Sequence, residues 1–346
     1  VVAENKRISQ DILIAREHSL KAKAGQVVMV EIIQQPNKYS QPIGKIIEIL
    51  GDYTAPGMEI EIALRKHDLP HVFSPEIAKL AAKFPKNVLK KELKDRKDIC
   101  NLPLVTIDGE TARDFDDAVF CQQEGKGYRL YVAIADVSHY VRPHDMIDQE
   151  ALNRGNSVYF PRRVIPMLPE VLSNELCSLN PEKKRLCMVC EIHFQRNGDI
   201  VDYSFYSLGM CLYARPTYTE VAAMFAKPKG AEAQKYSLLL PHLLILNKLF
   251  KVLLKTRKTR GAIDFETIET QVFFNDHGKI EKIEPVQRTE AHRLIEECML
   301  AANVCAADFL QKHGQMTLYR IHDDPSPEKI TALRNFLKEF GIQLGG

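Results

Sequence analysis

The stretch TIDGETARDFDDAV, Thr106 to Val119, places Asp108, Asp114, Asp116 and Asp117 within ten residues. Glu110 lies among them, and Arg113 is the one nearby cation in the sequence. Carboxylates this close repel one another unless a positive charge stands between them. Hard oxygen ligands at this density suit Mg²⁺ or Mn²⁺, ions that activate water and neutralise a phosphoryl transition state. The same spacing suits a polar turn whose aspartates cap backbone amides, and spacing alone leaves both readings open. Two other acidic motifs fail. An EF-hand loop counted from Asp114 meets Val119 and Gly125 where Gly and Glu are needed. A DxDx[TV] phosphatase signature meets Ala118 at its fifth place, with polar GETAR in front.

These carboxylates need elements to hold them. LPLVTID reads as an apolar strand ending in Asp108, GETAR as a turn, and DFDDAVF as a returning strand. In an ideal strand Asp114 and Asp116 share one face and Asp117 takes the other. Convergence of all four therefore predicts a bend or bulge near Asp116.

Other chemistry-bearing residues read more blandly. Cys187 and Cys190 form a CxxC within an alternating strand, which turns them to opposite faces and predicts core cysteines. His67 and His71 flank Pro70 in a predicted surface loop. His292, Glu296 and Glu297 share one helix, where pairing or packing competes with a supporting role at a site. Tyr218, in ARPTYTEV before a helix, suits the core, a cap, or a platform for a nucleobase.

The chain has 346 residues, 45% of them apolar, enough for about two domains. A net charge of +2 announces no polyanionic partner. Eight cysteines without a secreted-type framework, and no spanning apolar run, predict a reducing cytoplasm. Residues 1–65 read as short strands, including GMEIEIAL, and suggest a small barrel. A helix capped by Ser74 follows, then the basic run KFPKNVLKKELKDRK, which reads as a solvated linker or a phosphate-tracking surface. Residues 100 to about 213 are strand-rich. Helices follow, with AQKYSLLLPHLLILNKLFKVLLKTRKTRG read as one long helix.

Four segments then acquire a shared meaning. TIDGETARDFDDAV, YVAIADVSHYV, SVYFP…VIPMLPEVLSN…LCSLNPE and HRLIEECMLAANV together resemble the catalytic domain of the RNase II/RNase R exoribonuclease family, in the family's order. APGMEIEIALRKHDLPHVF resembles the segment that joins a cold-shock domain to it. The resemblance implies an α+β chain: an OB-type cold-shock β-barrel over 1–65, a helical basic linker over 66–100, and a truncated, mixed α/β RNB catalytic domain over 101–346. It implies processive 3′→5′ hydrolysis of single-stranded RNA to nucleoside 5′-monophosphates with Mg²⁺, Mn²⁺ being an alternative, and no membrane. By matching motif, Asp108 and Asp117 fall on metal ligands, Asp116 on the position most sensitive for chemistry, and Asp114 on the fourth member of the catalytic and metal-binding set. Tyr218 matches the aromatic that stacks on the 3′-terminal base.

There are departures. Glu175 stands where the family usually has Gly, and Pro216 precedes the Thr-Tyr pair. A TSPIRRY-like segment, whose arginine meets the scissile phosphate, does not occur among these residues. The expectation is a fragment of a longer enzyme, weak or inactive alone. The alternative is an RNA-binding module with a degenerate nuclease fold.

Overall fold

The computed structural model describes residues 1–263, 268–286, 288–321 and 323–345. The chain divides into two compact units, Val1–Cys298 and one beginning at Met299. The first opens with a three-stranded sheet of β1 (Leu13–Ile14), β2 (Gln26–Gln34) and β3 (Ile43–Asp52), in the order β1-β3-β2. Gly44 lies where an added Cβ would fall 2.5 Å from Val30 Cγ1, so the close approach of β3 to β2 needs glycine.

GMEIEIAL is not a strand. Met58–Lys66 is helix α1. The alternating run also satisfies helical spacing, with Met58 and Leu64 buried. Its charges decide between the two: Glu59 and Glu61 lie in the first turn, Arg65 and Lys66 in the last, and Arg65 pairs with Glu61 at i,i+4. Helix α2 (Pro75–Ala81) begins as expected, with Ser74 accepting from the Ile77 N–H. The basic run is not simply solvated. It runs into β4 (Lys97–Asp98), and Arg96 within it makes an ion pair at 2.5 Å with buried Asp136.

A five-stranded sheet carries the rest: β4, β5 (Asp117–Glu124), β6 (Gly127–Ala135), and beyond helix α3 (Met146–Arg154) and the hairpin of β7 (Val158–Phe160) and β8 (Arg163–Ile165), β9 (Lys184–Phe194) and β10 (Ile200–Cys211). Its order is β4-β10-β9-β6-β5, antiparallel except for the short β4–β10 pair. Leu104, Phe115, Ala133, Leu172, Leu176, Cys187 and Val189 form part of its core. Cys187 and Cys190 are buried, as expected of core cysteines.

Helices α4 (Tyr218–Ala226), α5 (Ala231–Lys235) and α6 (Leu240–Thr259) follow. The expected single long helix is thus two, because Pro241 is tolerated only in a first turn and starts α6 there. The hairpin β11 (Thr270–Phe274) and β12 (Ile280–Pro285) precedes α7 (Glu290–Lys312). In the second unit, α8 (Pro327–Glu339) is capped by Ser326. Among the described residues no helix is long and apolar enough to cross a membrane.

Candidate active site

The aspartates are gathered without a bulge. Strand β5 begins only at Asp117, paired with Ile134 in an unbroken register, so Asp114 to Asp116 lie outside the ladder and are free to turn. Phe115 between them is 2% exposed and acts as the anchor. Its N–H donates to Ser178 Oγ at 3.1 Å, its carbonyl accepts from the Leu179 N–H at 2.7 Å, and Ser178 Oγ donates to the Arg113 carbonyl at 2.8 Å. The Ala135 N–H donates to the Asp116 carbonyl at 2.8 Å. The segment LCSLNPE and the end of YVAIADV therefore hold the acidic loop from two sides.

Asp108 arrives on a separate segment. Residues 104–107 are buried but form no regular strand. They are fixed by bridges, Val105 to both Val119 and Ala214, and Asp108 to Thr217. The Asp108 carbonyl accepts from the Tyr218 N–H at 3.0 Å. A capping box joins Thr217 and Glu220 at the start of α4, and Thr219 Oγ1 donates to Glu110 at 2.7 Å.

The carboxylates then feel one another. Burial, then Asp116, push Asp108 up to about 6, with Asp114 adding and Arg215 opposing. Burial, then Asp116 and Asp108, push Asp117 up to about 7. Asp116 reaches solvent, yet the protein packed around its carboxyl, and then Asp114, raise it too. Asp117 Oδ2 is buried with no hydrogen-bond partner. Such an oxygen, among carboxyls that resist ionising together, is the environment a divalent cation relieves. Among the described residues no group of three or more His, Cys, Asp or Glu side chains is disposed to hold a metal ion. Mg²⁺ does not require one, since it keeps several waters and binds through one or two carboxylates plus substrate phosphate. The donor set fits such an ion.

Aromatic and cationic groups complete the site. Tyr218 is half-buried, and its ring lies on His292 with centroids 3.9 Å apart and planes 17° apart. The Thr289 N–H donates to His292 Nδ1 at 3.2 Å, and the Thr289 hydroxyl lies 2.8 Å from the same nitrogen. One face of Tyr218 is therefore already taken. Glu296 and Glu297 pair with Arg257, the helix-pairing role that their spacing allowed. Two residues escaped the sequence reading. Tyr159, on β7, is 63% exposed and donates to Asp114. Arg215, whose guanidinium lies 4.5 Å from the Phe115 ring centroid, brings a cation to the cluster. Both lie in quoted motifs, SVYFP and ARPTYTEV, but nothing in their spacing brings them to Asp114 or Asp108.

Residues 96–344 match the RNB domain and residues 1–74 the cold shock domain. The chain is 48% identical over 347 aligned residues to Ribonuclease R of Vibrio cholerae, covering 100% of this chain and 42% of that protein. It is 49% identical to Ribonuclease R of Escherichia coli, covering 100% of this chain and 43% of that one. It thus spans less than half the length of these curated relatives. Among solved structures, Mycoplasma genitalium RNase R in complex with ribose methylated single-stranded RNA superposes with a TM-score of 0.90 at 28% identity, covering 99% of this chain and 53% of that one. With a family match over most of its length and a core built on the residues of that match, the chain belongs to the RNB family, the family of the ribonuclease R proteins.

Proposed function

We propose that these residues carry the hydrolytic centre of a metal-dependent 3′→5′ exoribonuclease that degrades single-stranded RNA processively to nucleoside 5′-monophosphates. The proposed division is a cold-shock module over 1–65, a linker over 66–100 and the catalytic portion over 101–346. The observation that carries the reading is the mutual frustration of Asp108, Asp116 and Asp117 around the orphaned Asp117 oxygen. Mg²⁺ is the proposed ion, Mn²⁺ its substitute, and Asp108, Asp114, Asp116 and Asp117 are the proposed carboxylates of its site, one or two of which would meet it directly. When bound, the ion supplies an activated water and charge for the leaving 3′-oxygen.

The chain's own groups do the rest. Tyr159 holds Asp114 in one orientation through its hydroxyl. Arg215 is placed to meet a phosphate oxygen beside Asp108. The terminal base stacks on an aromatic beside the aspartates. Tyr218 can offer only the face away from His292, whereas Tyr159 is open. Stacking fixes the scissile phosphate over the carboxylates, so that positioning supplies much of the rate.

A second reading, RNA binding without hydrolysis, draws on the absence of a ready three-ligand cage among the described residues. Shortening of a 5′-labelled RNA by the protein extended to the full length of its relatives, with and without EDTA, tests the first reading. EDTA-sensitive stepwise shortening supports it, and binding without shortening supports the second.

A further inference from the structure

Two of the eight cysteines stand apart. Cys121, Cys177, Cys187, Cys190, Cys298 and Cys305 are buried, whereas Cys100 and Cys211 are partly open. The Sγ atoms of Cys100 and Cys211 lie 2.7 Å apart, across 111 residues of sequence.

One corner of the fold holds both. The Cys100 N–H donates to Asp98 Oδ1 at 2.9 Å, and Asp98 pairs with Lys184 at 3.0 Å. Lys184 is the register partner of Cys211. Here β4 meets β10 over only Lys97↔Leu208 and Asp98↔Gly209. Past the cysteines the two chains continue side by side. The Tyr213 N–H donates to the Leu104 carbonyl at 2.9 Å, Val105 bridges Ala214, and Asp108 bridges Thr217. The thiol pair thus sits at the root of the two segments that deliver Asp108 and Tyr218.

We infer that Cys100 and Cys211 form a redox-active dithiol that closes reversibly to a disulfide on meeting a small-molecule disulfide, stapling the roots of these two segments. The Cys211 thiolate attacks one sulfur of the reagent, whose S–S bond breaks. One reagent thiolate leaves, and a mixed disulfide forms at Cys211. The Cys100 thiol gives its proton to water and attacks Cys211 Sγ. The protein S–S bond forms as the second reagent thiolate leaves. Two electrons pass from the protein to the reagent, which departs as two thiols. Burial, then Cys211 and Asp98, push the Cys100 thiol up to about 12, and the same exchange balances with either sulfur attacking first. The dithiol involves none of Asp108, Asp114, Asp116 and Asp117 and stands independently of the nuclease reading.

The test treats the native protein with oxidised glutathione, alkylates the remaining thiols, and maps peptides by mass spectrometry without reduction. The expected result is one cross-linked pair, Cys100 with Cys211, reversed by dithiothreitol and accompanied by a Tm rise of about 5 °C or more. Cys100→Ser and Cys211→Ser are each expected to abolish the cross-link and to leave a glutathione adduct on the remaining thiol. No linked peptide, linkage only in urea, or linkage of a different pair overturns the inference. Because the primary reading is taken on the unsubstituted protein, a variant that fails to fold does not blunt it.

Discussion

The Tyr159 hydroxyl donates a hydrogen bond to Asp114 across 45 residues of sequence, so the β7–β8 hairpin grips the acidic loop. The same hairpin is tied to the N-terminal module, because Arg163 pairs with Glu61 of α1. Tyr159→Phe keeps the ring and loses the bond, a charge-assisted one worth about 1.5–3 kcal/mol. A fall in kcat of about 10-fold with KM nearly unchanged is expected. Tyr159→Ala removes the open ring as well and is expected to raise KM by a further 10-fold or so. Tyr218→Ala is expected to raise KM less, since that ring gives one face to His292. Steady-state kinetics on a short oligoribonucleotide, with the protein extended to the full length of its relatives, check all three. A larger KM effect at Tyr218 would return the stacking role to it alone.

The raised carboxyls give stability a pH dependence with a definite sign. Asp108 and Asp117 titrate near 6 and 7 in the fold, against an ordinary value of 3.8. Between those values the folded protein keeps protons that the unfolded chain has released, so stability falls as pH rises. Their contribution is complete below about pH 4 and is lost through pH 6 and 7. Without divalent cations, Tm is expected to drop from pH 5 to pH 8. Mg²⁺ is expected to raise Tm more at pH 8 than at pH 5.5, because binding must displace those protons. Asp117→Asn should flatten the slope and remove most of the Mg²⁺ response. Thermal melts in matched buffers read this directly, and a metal-free Tm that climbs toward pH 8 runs against it.

Arg96 offers a structural prediction away from the site. Burial by itself would raise Asp136, but the Arg96 and Ser138 hydrogen bonds outweigh it and hold the carboxyl below its ordinary value. Arg96→Ala leaves that charge buried without its guanidinium partner, at a cost of about 3 kcal/mol. Urea denaturation measures it. Asp136→Asn in the Arg96→Ala background is expected to recover part of the loss, because the uncompensated charge is gone.

Much of this was legible in the sequence because local patterning fixes local structure. β6, β9 and β10 fall in the stretch read as strand-rich, and the Ser74 cap follows from the residue that precedes its helix. Met58–Lys66 misled because MEIEIAL satisfies both periods, and only the i,i+4 pairing of Glu61 with Arg65 separates them. The aspartates could be named from their spacing, but not the means of gathering them. Ser178 and Leu179 pin Phe115 from more than sixty residues away, and Tyr159 and Arg215 reach the cluster through tertiary packing. No periodicity records such contacts.

The central claim is that the aspartates hydrolyse RNA rather than merely lie beside it. Its most direct test is Asp116→Asn in the protein extended to the full length of its relatives, with turnover of a 5′-labelled single-stranded RNA in Mg²⁺ measured beside equilibrium RNA binding. The expected result is a loss of turnover on the order of 10³-fold or more with RNA affinity unchanged. Turnover that survives the substitution, or that persists in EDTA, would contradict the account.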